Sequence, residues 1–278
     1  MMKVSCVRSA IVVLVLPIAL GRAQSPDRSG VLFHPADLAM VAGGTLGSFA
    51  VTKVDVRIAR AFSDTAFHLR HPGFTTAAKR ASVVTETVLM ISGGTGWAIG
   101  RLSKSPDMAD VSLHTFESVA SAAMFIQVVR GALGRARPYV IDDDGDKRDS
   151  DPYEFQALHG FTSFNYRSYP SMHAMASFAA ATALVQEMRV RHTPNRQIVG
   201  PLLYTGAVMP SLARMYLDEH WTSDIVMGMF LGVLSGQRVV GYSHEHPGNP
   251  IDHRFLKPQV RGSISFGQGG VRLSILPF

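Results

Sequence analysis

The run from Met172 to Arg191, M-H-A-M-A-S-F-A-A-A-T-A-L-V-Q-E-M-R-V-R, decides the fold. It is alanine-rich, uncharged from Ala174 to Gln186, and reads as an apolar helix through Phe178, Leu184 and Val185, with Ser171 as its natural N-cap. Two further helices are predicted downstream. One runs from Arg196 to about Tyr216, with Pro201 in its first turn and Pro210 as a kink, and one from Thr222 to about Val240. Upstream, apolar residues recur at helical spacing at Phe49, Val51, Val54 and Val56 to Ile58, then at Val84, Val88 and Leu89, then at Val119, Ala123 and Ile126 to Val129. The expected class is all-α, a helical bundle.

The uncharged runs Thr87 to Gly100, Ala174 to Gln186 and Ile225 to Gln237 fall short of the roughly 20 residues a hydrocarbon core requires. Gln197 to Ala213 approaches that length but holds two prolines. Buried helices of a soluble bundle are therefore expected, with helices lying in or against a bilayer as the alternative. The 278 residues are 46% hydrophobic and 17% charged, and mean hydropathy is slightly positive, which excludes intrinsic disorder and fibrous classes.

Residues 1–23 read as an export signal: Lys3 and Arg8 are basic, Ala10 to Leu20 is apolar, and Gly21-Arg22-Ala23 offers a cleavage site. The formal charge is +6, from 27 basic and 21 acidic residues. Removing Lys3, Arg8 and Arg22 leaves +3, so no nucleic-acid partner is expected. Cys6 leaves with the signal, and a cysteine-free exported chain suits a periplasm. Residues 24–255 are expected to form one helical domain, with its core at 117–240. The tail 256–278 alternates Ile264, Phe266, Val271, Leu273 and Ile275 with polar residues around a Gly-Gln-Gly-Gly turn, a hairpin pattern. The acidic stretch Asp142 to Asp151 lacks the EF-hand glycine, because Lys147 stands in its place, and reads as a solvated loop.

Three clusters carry chemistry. Arg130 and Arg137-Pro138 are seven residues apart near the end of a predicted helix that Pro138 should terminate. Two turns put both guanidinium groups on one face, where their forked donors suit an oxyanion. Pro170-Ser171-Met172-His173 sets free amides and the positive end of a helix dipole beside an imidazole. Arg214, His220 and Asp224 place a carboxylate one turn from a histidine, able to fix its tautomer and leave the other nitrogen free. Each has a plain alternative: a solvated basic face, an ordinary capping serine, a satisfied buried His–Asp pair.

In order and spacing, the three clusters together resemble the three-part signature of the type 2 phosphatidic acid phosphatase and vanadium haloperoxidase superfamily, over roughly Glu117 to Val240. The pattern is closest to that of bacterial class A acid phosphatases. Three positions depart from it: Arg130 replaces the usual Lys, Met172 the usual Gly, and Ala213 the usual Ser. Met172 is expected to narrow or reshape the pocket, because glycine allows closer backbone approach.

The resemblance implies an all-α fold with the active site at helix ends and a metal-independent phosphomonoesterase without cofactor. Arg130, Arg137, Arg214, Ser171 and the Met172 amide would hold the phosphate. His220, oriented by Asp224, would form a phosphohistidine, and His173 would serve as acid and base. The expected substrates are phosphorylated small molecules, lipid phosphates or pyrophosphates, the last two implying membrane association. The alternatives are a vanadium haloperoxidase, with vanadate on His220, and a catalytically weak envelope scaffold. The other histidines, His34, His159, His244 and His246, read as surface or loop residues.

Overall fold

A computed structural model describes residues 31–139, 151–256, 260–267 and 270–277. The signal segment and most of the Asp142 to Asp151 stretch lie outside them. The order is α1 (Asp37–Phe62), α2 (Thr65–Arg70), α3 (Pro72–Ala81), α4 (Glu86–Leu102), α5 (Pro106–Leu133), α6 (His159–Thr162), α7 (Met172–Val190), α8 (Arg196–Tyr216), α9 (Thr222–Glu245) and α10 (Pro250–Phe255). Strands β1 (Val260–Gly267) and β2 (Gly270–Pro277) then pair antiparallel, with Phe266 opposite Val271 and Val260 opposite Pro277. The fold is all-α with this terminal hairpin. Both prolines of α8 lie within one continuous helix, Pro201 in its second turn.

α7 and α9 form the core. One apolar cluster joins Phe178 and Ala181 to Ile225, Met229 and Val233, closed by Tyr204 and Ala207 of α8. Another joins Met172, Met175 and Ala179 to Met227 and Leu231, closed by Val119, Ala122 and Ile126 of α5. Each fully buried large side chain contributes about 1.5–3 kcal/mol. What brings α7 and α9 so close is a glycine ridge at i, i+4 spacing. A Cβ on Gly228 would lie 2.5 Å from the Ser171 carbonyl, and one on Gly232 would lie 2.4 Å from that of Met175. The contacts advance in the same sense along both chains, so the two helices run parallel and their N-termini emerge at the same end.

The end of α5 corrects one expectation. The helix stops at Leu133, not at Pro138, because Gly134 adopts φ +60° and donates its N–H to the Arg130 carbonyl. Arg137 therefore does not share a helical face with Arg130. It lies on an extended segment that bridges from Arg135 to Phe155, and the chain reversal at Gly134 sets where its guanidinium points.

Two helices, α5 and α9, are long and apolar enough to cross a membrane. The most apolar stretch of α9 is 83% buried, as a bundle core requires, whereas that of α5 is only 33% buried. On α5, Met124, Phe125 and Val128 are exposed.

Candidate active site

The site is built outward from Asp224 in the first turn of α9. Its Oδ2 accepts from the Trp221 amide at 2.8 Å and from the Ser168 hydroxyl at 2.5 Å, and its Oδ1 accepts from Arg135 at 2.5 Å. His220, just before the helix, brings Nδ1 to 3.4 Å from the same Oδ2. Burial opposes the charge of Asp224, but Arg135 and then His220 and Ser168 override it and hold the carboxyl below its ordinary value. His220 is buried, and that burial, opposed by Asp224 and assisted by Arg137, lowers its imidazole to about 4. At neutral pH it is uncharged, with one nitrogen facing the carboxylate.

Arg135, 1% exposed, is the keystone of this arrangement. It donates to Asp224, to Asp55 of α1 at 3.1 Å, to the Ser223 hydroxyl at 2.7 Å and to the Pro152 carbonyl at 2.8 Å. The rings of Phe155, Tyr169 and Trp221 surround it at 5.5–5.8 Å. Asp55, pushed up to about 6 by burial despite Arg135, also accepts from the Ser223 amide at 3.0 Å. Three elements are thus fastened to one guanidinium.

The other arginines converge beside the histidines. Arg137 lies over the Phe164 ring at 4.1 Å and donates to the Glu219 carbonyl at 3.2 Å and to its carboxylate. Arg214, in the last turn of α8, meets the same carboxylate oxygen at 2.8 Å. Arg130 is close enough for burial first, and Arg137, Arg167 and Arg214 after it, to lower its guanidinium to about 10. The buried Nε atoms of Arg130 and Arg214 have no hydrogen-bond partner. Arg137 and Arg214 on one carboxylate, with Arg130 repelled by both, make a cradle for an anion.

His173 faces His220 edge-on, with ring centroids 6.5 Å apart. Its Nε2 lies 3.2 Å from the Ser82 carbonyl, which fixes the Nε2–H tautomer. Burial, reinforced by Arg214 and His220, lowers it to about 3. The Ser171 hydroxyl caps α7 by accepting from the Ala174 amide at 3.4 Å, and the Ser171 amide donates to the Asp224 carbonyl at 3.0 Å, tying the second cluster to the third. The amides of Met172 and His173 belong to the first turn, where no intrahelical acceptor exists.

Met172 does not narrow the site. It has ordinary helical geometry as the first residue of α7, and its side chain is 4% exposed, packed with Val119, Ala122 and Ile126 in the core. All eight residues singled out from sequence lie at this end of the bundle. Arg135, Asp55, Ser168 and Glu219 were missed. Arg135 and Arg137 are two apart on an extended segment, a spacing in R-A-R that sets both on one side of such a segment and that a helical reading conceals. Asp55 carried no local signal.

Comparison with known proteins bears on the same segments. The model of the PAP2 superfamily matches residues 112–246, which contain all three clusters. That match takes in just under half of this chain. Over 75 residues it is 36% identical to a lipid A 1-phosphatase of Porphyromonas gingivalis (strain ATCC 33277), which is 27% of this chain and 16% of the relative. The chain thus spans about a sixth of that curated relative. A solved transmembrane PAP2 type phosphatidylglycerolphosphate phosphatase from Bacillus subtilis is 19% identical, aligning over 75% of this chain and 92% of that one with a TM-score of 0.47.

Proposed function

We propose that this chain is a metal-independent phosphatase of the PAP2 superfamily acting on lipid phosphomonoesters through a phosphohistidine. The observation that supports this reading is the clustering of Arg130, Arg137 and Arg214 with one another and with His173 and the Asp224-backed His220. The cations and the α7 amides bind the phosphoryl oxygens. The nitrogen of His220 remote from Asp224 attacks phosphorus, and Asp224 stabilises the imidazolium that forms. The ester P–O bond breaks, and the leaving alkoxide takes a proton from His173. Water then gives a proton back to His173 and attacks the phosphohistidine, releasing inorganic phosphate and restoring neutral His220. A bound phosphate dianion opposes both the burial and the cations that depress His173, so that it carries its proton when needed.

Apolar groups at the mouth of the site support a lipid substrate. Phe161 and Phe164 are each at least half exposed; Phe161 lies against Gly131, next to Arg130, and Phe164 backs Arg137. Such a rim suits the boundary between headgroups and acyl chains, and the named activity of the P. gingivalis relative points the same way. The test is phosphate release from phosphatidate in mixed micelles and from p-nitrophenyl phosphate, both in EDTA. EDTA-resistant release that favours the lipid and is abolished by His220→Ala is expected. Activity that requires added metal, or that survives His220→Ala, refutes the mechanism.

A further inference from the structure

α5, α7 and α9 each carry a second set of polar groups far from the phosphate cradle. Sixteen residues separate His114 from Arg130 on α5, and sixteen separate Glu187 from Ser171 along α7, about 24 Å of helix in both cases. At that opposite end Glu187 Oε1 lies 2.5 Å from Nδ1 of His114 and 2.9 Å from Nε2 of His244, and the three atoms lie within 4.8 Å of one another. His114 and Glu187 are buried and His244 is half-buried in the last turn of α9, not the surface residue its sequence position suggests.

The groups behind these atoms are arranged as supports. Nε2 of His114 points at Oδ1 of Asp252 across 3.5 Å, and neither atom has a hydrogen-bond partner, although both residues are more than nine-tenths buried. Asp252 is held by Asn249, whose Nδ2 donates to it at 2.7 Å. The second oxygen of Glu187 accepts from Arg191 Nε at 2.8 Å. We propose that His114, Glu187 and His244 form a structural site for a divalent transition-metal cation of the zinc class.

Two imidazoles and a carboxylate on three helices are a donor set for such an ion. An imidazole that binds metal through one nitrogen and faces a carboxylate with the other is the usual outer arrangement, and His114 between Glu187 and Asp252 has it. Tetrahedral coordination at about 2.0–2.2 Å sets ligand atoms about 3.4 Å apart. The carboxylate oxygen of Glu187 therefore has to retreat by less than about 1 Å from the two nitrogens. A cleft of about 610 Å³ lined by Leu113, Glu117, Ser243 and Asn249, chain neighbours of the ligands and of Asp252, leads to this end. Water supplies the fourth donor. The ion would tie the far ends of α5, α7 and α9 together without touching the phosphate cradle.

The test uses the full chain, stripped with EDTA, exchanged into chelator-free buffer and titrated with Co(II) and with Zn(II). One equivalent of zinc retained on desalting, visible absorption typical of four-coordinate Co(II), and a Tm raised by roughly 5–10 °C at about a hundredfold excess over Kd are expected. His244→Asn and Glu187→Gln should each lose the metal and the Tm shift, while His244→Asn keeps its phosphate release in EDTA. Substoichiometric zinc on the wild-type chain overturns the proposal, as does full retention by both variants. The wild-type stoichiometry and Co(II) spectrum decide the matter even if a variant fails to fold, and neither depends on the catalytic reading.

Discussion

Replacing Arg135 with methionine should be the most damaging single change near the site, although Arg135 is not placed to touch substrate. Methionine fills much of the same volume but leaves two buried carboxylates, Asp224 and Asp55, without their shared cation, and removes a donor from Ser223 and the Pro152 carbonyl. Removing one partner from a buried pair costs about 3–5 kcal/mol. Asp55 sits near 6 even with Arg135 present, so it absorbs part of the loss by taking a proton, whereas Asp224 is held ionised and cannot do so as easily. At about 2–4 °C per kcal/mol for a chain of this size, Tm should fall by roughly 6–20 °C. Thermal unfolding followed by far-UV circular dichroism at pH 7 measures it. Adding Asp55→Asn to Arg135→Met removes one of the orphaned charges and should recover part of the loss. A Tm within about 2 °C of wild type, or an Asp55→Asn effect that simply adds to the first, refutes the keystone role.

Glu219→Gln frees Arg137 and Arg214 from a partly exposed carboxylate that a phosphate otherwise displaces. The KM for p-nitrophenyl phosphate should fall about fivefold, equivalent to about 1 kcal/mol, and an unchanged or raised KM counts against that competition. Gly232→Ala puts a methyl group 2.4 Å from the Met175 carbonyl and should cost about 1–3 kcal/mol in a denaturation experiment; a neutral result means that α7 and α9 are not locked at that contact. Burial holds His220 near 4 in the folded chain against 6.5 when unfolded. Its contribution is complete above pH 6.5 and is lost as pH falls toward 4, about 3 kcal/mol in all. His220→Gln should therefore flatten the decline in Tm between pH 7 and pH 4.5, and parallel profiles contradict this.

The sequence made the helices and the three clusters legible because both are local patterns. α8 begins and ends where Arg196 and Tyr216 suggested, and Ser171 caps α7 as its position before the apolar run implied. Pro138 misled because Gly134, an equally good helix terminator, comes four residues earlier and has the left-handed geometry that ends α5. Met172 misled because its side chain was assigned to the pocket, when the first turn of a buried helix directs it inward. Asp55, 80 residues from Arg135, and the glycines of α9 act only through partners remote in sequence. No window of neighbouring residues contains that information.

The parallel, glycine-locked pairing of α7 and α9 divides the site mechanically. His173 rides on the first turn of α7 and His220 is fastened by Asp224 to the start of α9, so the two imidazoles belong to one rigid piece. The three arginines come from elsewhere: the end of α5, the extended segment after Gly134 and the last turn of α8. Under the proposed mechanism, headgroups of different bulk would be accommodated by shifting the grip while the spacing between nucleophile and proton donor stays constant. Substrate range is free to drift through the arginine-bearing parts, and the reaction itself is insulated from that drift.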